Sequence, residues 1–215
     1  MRKRGTVRFV QVGANDGCRA DPINRFILEG RWQGLLVEPL PRAHAALRQT
    51  YADIDGLAFA EVAVAESDGT ATFFEVDGEF DVLSSFSKDT ILRRAGTRPG
   101  LAERIVERTV VTRRLDSLLA ETDCAMPDVL VVDTEGHDDV VIGSLDLESR
   151  TPSILLFEHV HLSRDGSTTL RNRLEKLDYT LIWDRHDCLA IHASAFPDHE
   201  IRFFREVVDA ARAKT

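Results

Sequence analysis

The chain has 215 residues, 43% of them hydrophobic and 29% charged, and its formal net charge is −9 at pH 7. That length suits one well-buried domain of ordinary globular composition, and no apolar run approaches the roughly 18 residues of a membrane helix. Arg and Lys are scattered through an acidic chain, without the basic stripe of an extended nucleic-acid interface, so neither nucleic acid nor membrane is expected as a partner.

The basic cluster Met1-Arg2-Lys3-Arg4 leads into a strand-length apolar run, too short for a signal-peptide core. Val7 to Val12 reads as the first strand, followed by the turn Gly13-Ala14-Asn15-Asp16-Gly17. Asp21-Pro22 predicts a helix start, with Ile23, Phe26 and Ile27 on one face and Gly30 at its end. Gly34 to Glu38 is the second strand, and a helix follows from Pro41 with Ala43, Ala46 and Leu47 on one face. Leu57 to Val64 predicts a third strand, completing β-α-β-α-β, half of a doubly wound sheet.

Gly69 to Val76 and Val106 to Thr112 carry strand composition, and Leu115 to Leu119 a short helix. Residues 77–105, including Thr97-Arg98-Pro99-Gly100, are the least periodic part of the chain. An irregular stretch this long inside a compact domain is functional or mobile, and it is expected to form a lid or acceptor-site insertion. Asp128 to Val132 and Ser153 to Phe157 are continuous apolar runs, as in strands buried on both faces. Leu170, Leu174 and Leu177 mark a helix. Tyr179–Trp183 and Cys188–His192 predict an antiparallel pair at the sheet edge, and Phe203, Phe204, Val207, Val208 and Ala211 one face of a last helix. With no internal repeat, residues 1–215 are expected to form a single domain. Cys18, Cys124 and Cys188 are odd in number and far apart, which fits a reducing compartment and a cytoplasmic location. His44, His186, His192 and His199 read as surface or edge residues.

In open α/β sheets ligands bind outside the carboxyl ends of the strands. Four predicted parallel strands end in polar clusters: residues 13–17, Glu38-Pro39, 133–137 and 158–161. A glycine turn after the first strand lets backbone approach a nucleotide, and an acid about twenty residues on suits a ribose. The pattern is G-x-N-x-G, so Asp16 stands inside the turn, where a carboxylate opposes a pyrophosphate. S-adenosylmethionine has no phosphate, and it is the expected cofactor, held by Gly13, Ala14, Asn15, Asp16, Gly17, Glu38 and Pro39. Transfer of a methyl group to a hydroxyl needs a proton acceptor at the attacking oxygen. Asp133, Glu135, His137, Glu158 and His159 are the candidates, with histidine favoured by its ordinary pKa of about 6.5. The same region, with His161, holds oxygen and imidazole donors suited to a divalent cation. Nothing has closed zinc spacing, and no bound metal is expected. A nicotinamide-dependent oxidoreductase and a non-catalytic binding module are the competing readings; the missing third glycine opposes the first, and the acids at 133–137 the second.

Val10-Gln-Val-Gly-Ala-Asn-Asp-Gly17, Leu36-Val-Glu-Pro39, Ala63-Val-Ala-Glu-Ser-Asp-Gly69, Arg114-Leu-Asp-Ser-Leu118, Asp128-Val-Leu-Val-Val-Asp-Thr-Glu-Gly136 and Ile154-Leu-Leu-Phe-Glu158 resemble, in order, the blocks of the FkbM-type methyltransferase family. The resemblance implies a class I, Rossmann-like, three-layer α/β sandwich with a mostly parallel seven-stranded sheet and an antiparallel last strand. It also implies S-adenosylmethionine-dependent O-methylation of a hydroxyl on a small molecule, sugar or natural-product scaffold. Gly13, Asn15, Gly17 and Glu38 would then hold the cofactor, and the Asp133–Gly136 block would border the transfer site. Gln11 stands where the family often has an acid.

Overall fold

The computed structural model describes residues 5–30, 32–78, 81–95, 98, 100–122, 124 and 126–212. The basic cluster at residues 1–4, and Thr97 and Pro99 of the 77–105 segment, lie outside the described residues. In order, the elements are β1 (Val7–Val12), α1 (Asn24–Leu28), β2 (Trp32–Val37), α2 (Pro41–Thr50), β3 (Leu57–Ala60), β4 (Ala63–Val64), β5 (Gly69–Val76), α3 (Lys88–Ala95), β6 (Ile105–Arg113), α4 (Leu115–Ala120), β7 (Val129–Val132), α5 (Asp138–Gly143), β8 (Ile154–Glu158), α6 (Arg164–Lys176), β9 (Tyr179–Trp183), β10 (Asp187–His192) and α7 (Asp198–Arg212).

Seven strands form one sheet in the order β3-β2-β1-β7-β8-β10-β9. The pairs from β3 to β8 are parallel, and β10, the last strand in the chain, runs antiparallel to both its neighbours. Side chains alternate across a strand, which sorts the apolar runs into two layers. Val10, Val12, Leu35, Val37, Leu130, Val132, Leu155 and Phe157 pack with Leu115, Leu119, Val141, Ile142, Leu170 and Leu174 of α4, α5 and α6. On the opposite face Phe9, Leu36, Val129 and Val131 meet Ile23, Ile27, Leu47 and Tyr51. Both faces are covered, so the parallel strands are apolar throughout. A fully buried Leu, Ile or Phe contributes about 1.5–3 kcal/mol in such a core.

Several boundaries differ from expectation, each for a local reason. Asp21 and Pro22 do not open α1: the N-cap is Ile23 and the helix starts at Asn24, while Asp21 Oδ1 accepts from the backbone N–H groups of Ile23 and Asn24 in the turn before it. Phe26 is 42% exposed and stacks on Trp32 at 5.0 Å instead of entering the core. In α2 the buried positions are Ala43, His44 and Leu47, while Ala46 is exposed; His44 therefore corrects its reading as a surface residue. The run Leu57 to Val64 is two strands. β3 closes the large sheet, and β4 pairs in parallel with β6 in a separate three-stranded sheet of order β4-β6-β5. Residues 77–105 are not structureless: they hold two 3₁₀ turns, Asp81–Leu83 and Ala102–Arg104, and helix α3, anchored by the buried Ile91. On α7 the inward residues are Ile201, Phe204 and Val208, while Phe203 and Val207 face outward at 60% and 49% exposure; the Ala211 side chain lies outside the described residues.

Candidate active site

The register of the central strands sets one row of residues along the carboxyl edge. Val37, Val12, Val132 and Phe157 are successive partners across β2, β1, β7 and β8. The residues that follow them, Glu38, Gly13, Asp133 and Glu158, therefore leave the sheet side by side, and polar side chains from distant parts of the sequence meet there.

At the first two ends, backbone dictates the arrangement. The Val37 carbonyl accepts from both Gly13 N–H (3.0 Å) and Ala14 N–H (3.1 Å), drawing the turn across the end of β2. Gly13 has φ +82°, and a Cβ there would lie 1.8 Å from the Asp133 carbonyl oxygen. Glycine is required because β7 passes directly behind it. Glu38 is 5% exposed. Its Oε2 accepts from Asn15 N–H at 3.0 Å and its Oε1 from Leu40 N–H at 2.9 Å. Two backbone donors thus aim a buried carboxylate across the turn. Asp16 is spent within the loop: its Oδ1 accepts from Cys18 and Arg19 N–H, and its Oδ2 pairs with Arg19 Nε at 2.6 Å. Those bonds hold its pKa below the ordinary carboxylate value, against the upward pull of burial. Gly17 supports the turn from beneath, its carbonyl accepting from Tyr51 Oη and Asn24 Nδ2.

The second two ends are joined by Asp138, which is fully buried. Its Oδ2 accepts from the Thr134 hydroxyl (2.7 Å) and N–H (3.2 Å), and its Oδ1 from Glu158 N–H (3.0 Å). Burial pushes its pKa up to about 8. Glu135, at φ +55°, has its carbonyl fixed by the Ser85 hydroxyl. Ser85 itself lies against β5 through paired backbone bonds with Phe74. His137 packs against the Phe86 ring at 4.6 Å, and burial lowers its pKa despite the nearby acids Asp139 and Glu66.

Between these halves lies a cavity of about 360 Å³. Of the residues expected to hold a cofactor, Gly13, Ala14, Asn15, Glu38 and Pro39 line it, whereas Asp16 and Gly17 do not. Of the expected catalytic residues, Asp133 and Glu135 line it. Glu158 stands behind Glu135, facing His161. His137 is off the wall against Phe86, and His159 turns away, its Nε2 at 2.9 Å from the Asp184 carbonyl oxygen and its ring edge-on to Trp183. Gln11 and Asp21, absent from the expected site, also line the cavity. Gln11 is 2% exposed and bonds Asp21 through its side chain. Gln11 Oε1 and Asp21 Oδ2 are both buried without a hydrogen-bond partner among the described residues. Asp21 thus brings to this wall the acid that Gln11 lacks; its reading as a helix cap hid it.

Three comparisons bear on this site. The family model of the methyltransferase FkbM domain matches residues 11–191. The 2-O-methyltransferase NoeI of Sinorhizobium fredii is 29% identical over 178 residues, which is 79% of this chain and 70% of that protein. Among solved structures, the methyltransferase FkbM from Methylobacillus flagellatus superposes with a TM-score of 0.54 at 16% identity, over 87% of this chain and 44% of that one. The present chain thus spans less than half of that solved protein, and the likeness shows the shared fold. With the match running from the end of β1 through β10, the chain belongs to the FkbM methyltransferase family.

Proposed function

We propose that the protein is an S-adenosylmethionine-dependent O-methyltransferase acting on a hydroxyl of a small molecule, sugar or natural-product scaffold. The observation that carries this reading is the buried Glu38 carboxylate, aimed by the Asn15 and Leu40 N–H groups at the edge of the cavity. A carboxylate offers about four acceptor sites, which suits the two hydroxyls of a ribose. The partnerless Gln11 Oε1 and Asp21 Oδ2 on the same wall suit an α-ammonium group. About 360 Å³ falls in the range of small-molecule sites. The residues therefore fit the cofactor. When bound, it supplies an electrophilic methyl group on a sulfonium.

The chain's own part is to hold and deprotonate the acceptor. Asp133 and Glu135 stand on the wall and orient the acceptor hydroxyl, with Asp133 receiving its proton. The segment 77–105 acts as the acceptor-side cover: Leu83, Ser84, Phe86 and Arg98 line the cavity, and Ser85 ties the segment to Glu135. O-methylation is supported by the name of the relative NoeI. No helix among the described residues is long and apolar enough to cross a membrane. Cys18, Cys124 and Cys188 are thiols, not disulfides, as suits a reducing, cytoplasmic compartment. Calorimetry with S-adenosylmethionine and with NAD tests the cofactor. Binding of the first alone, weakened at least tenfold in Glu38→Ala, is expected; binding of NAD with silence toward S-adenosylmethionine overturns the reading.

A further inference from the structure

Behind the acceptor wall, three side chains from three stretches of chain converge. Glu135 comes from the β7–α5 turn, Glu158 from the end of β8 and His161 from the loop before α6. Each offers one ligand atom, and these atoms lie within 4.8 Å of one another. His161 Nε2 is 3.8 Å from Glu135 Oε2 and 3.7 Å from Glu158 Oε1. These separations are longer than a hydrogen bond, whose heavy atoms lie about 2.7–3.2 Å apart. Adjacent donors about 2.1–2.2 Å from one octahedral ion stand about 3 Å apart, so His161 and each carboxylate need to close by less than about 1 Å to share an ion. The side chains are only 13%, 10% and 19% exposed, in the order Glu135, Glu158, His161. Two shielded carboxylates this close repel unless positive charge lies between them.

We infer that Glu135, Glu158 and His161 bind a divalent cation of the Mg²⁺ or Mn²⁺ class. Three ligands leave about three positions of an octahedral shell for water or substrate oxygens. The imidazole in the set favours Mn²⁺ over Mg²⁺. The place is built before any ion arrives. Glu158 N–H is fixed by buried Asp138, which also holds Thr134, next to Glu135. Glu135 is held through its own carbonyl by Ser85. Asp133 and His159, which share the same strand ends, lie outside the cluster. The inference departs from the expectation of no bound metal, and what prompts the departure is the position of His161.

The site deepens the proposed function and, for its role in transfer, rests on it. Glu135 also lines the cavity, so an acceptor oxygen bound to the cation faces that space. Adjacent open positions suit two neighbouring oxygens, which points to a vicinal diol such as a sugar carries. The cation lowers the pKa of the bound hydroxyl. The oxygen–methyl bond then forms as the carbon–sulfur bond breaks with its electron pair going to sulfur, and the hydroxyl proton leaves to Asp133 and on to solvent.

The test is a Mn²⁺ titration of the chelator-treated full chain, followed by loss of the free-ion paramagnetic resonance signal, with S-adenosylmethionine calorimetry on the same samples. One Mn²⁺ per chain is expected. Glu158→Gln, which keeps the side chain's shape, and His161→Ala should each weaken it at least tenfold while changing S-adenosylmethionine affinity less than twofold. No Mn²⁺ binding by the wild-type chain at about 1 mM overturns the site, as does undiminished binding by both variants. Methyl-donor binding without Mn²⁺ binding sinks the cation and spares the enzyme reading; Mn²⁺ binding with silence toward the donor does the reverse.

Discussion

The proposed donor half of the cavity and its proposed acceptor half are made in opposite ways. Around Glu38 and the 13–17 turn, backbone sets every position: a shared carbonyl, a glycine pressed against β7, and two N–H groups on one carboxylate. Around Glu135, Glu158 and His161, side chains from separate loops converge, held by contacts to Ser85 and Asp138. Backbone-built sites tie function to folding, because the groups that bind the ligand also close the sheet. Side-chain-built sites separate the two, so that a substitution there alters chemistry and spares the fold.

The largest effect that sharpens this contrast is expected at Gly13. Alanine would place a Cβ 1.8 Å from the Asp133 carbonyl at φ +82°, so β1 and β7 must part. Gly13→Ala should cost about 3 kcal/mol or more, in the range of the strongest single-site losses, read as a lower urea midpoint. An unchanged midpoint would mean that the turn is pliable and the contrast false. Next comes Glu38→Gln. The amide keeps one acceptor but sets an N–H against a backbone N–H. Losing one charged hydrogen bond, about 1.5–3 kcal/mol, should weaken S-adenosylmethionine about 10- to 100-fold by calorimetry. Glu135→Gln should instead leave donor affinity nearly unchanged and lower turnover at least tenfold.

The same contrast explains how much could be read from residues alone. The central strands β1, β2, β7 and β8 were legible because a strand buried on both faces is a continuous apolar run, and Glu38 because its distance from the glycine turn is a local number. β3 and β4 merged because the chain changes sheets at Glu61 and Val62 without a glycine or proline to mark it. Helix α3 stayed hidden in a charged stretch, with Ile91 as its buried anchor. On α7, four apolar residues in pairs fit two helix faces, and only packing against Ile182 and Ile191 chooses Phe204 and Val208. The identity of the histidine beside Glu158 was not legible either. His159 and His161 lie on either side of Val160, and the turn between them, set by the β10 hairpin, sends one to Asp184 and the other to Glu135.

Asp138 ties the end of β7 to the end of β8, and its charge state makes that tie depend on pH. Burial raises its pKa from 3.8 to about 8. A pKa raised by folding means that the fold favours the protonated form, so this contribution is full below about pH 4 and is lost as pH rises through about 8. The wild-type melting temperature should fall between pH 7 and pH 9. Replacing the carboxyl by an amide removes the titratable proton, so Asp138→Asn should flatten that slope. The variant should start about 1–3 kcal/mol lower, because its amide opposes a buried N–H, and the gap should narrow with rising pH. His137, whose pKa is lowered by burial, acts on the other side: its contribution is lost as pH falls below about 6.5, outside this window. A gap that stays constant from pH 7 to 9 in paired thermal melts would show that Asp138 is ionised in the fold.

The smallest effect belongs to His159, a strand-end histidine that chemistry alone would nominate as the base. Its Nε2 meets the Asp184 carbonyl, its ring meets Trp183, and its own N–H bonds the His186 carbonyl at 2.9 Å. All three tie β8 to the turn before β10, and none faces the cavity. His159→Ala should cost about 0.5–1.5 kcal/mol of stability for the lost hydrogen bond. Transfer of labelled methyl to product should stay within about twofold of wild type, with donor affinity unchanged. A tenfold loss of transfer at constant donor affinity would place the reacting hydroxyl on the β10 side of Glu158, and the acceptor half would have to be redrawn around His159 instead of Glu135.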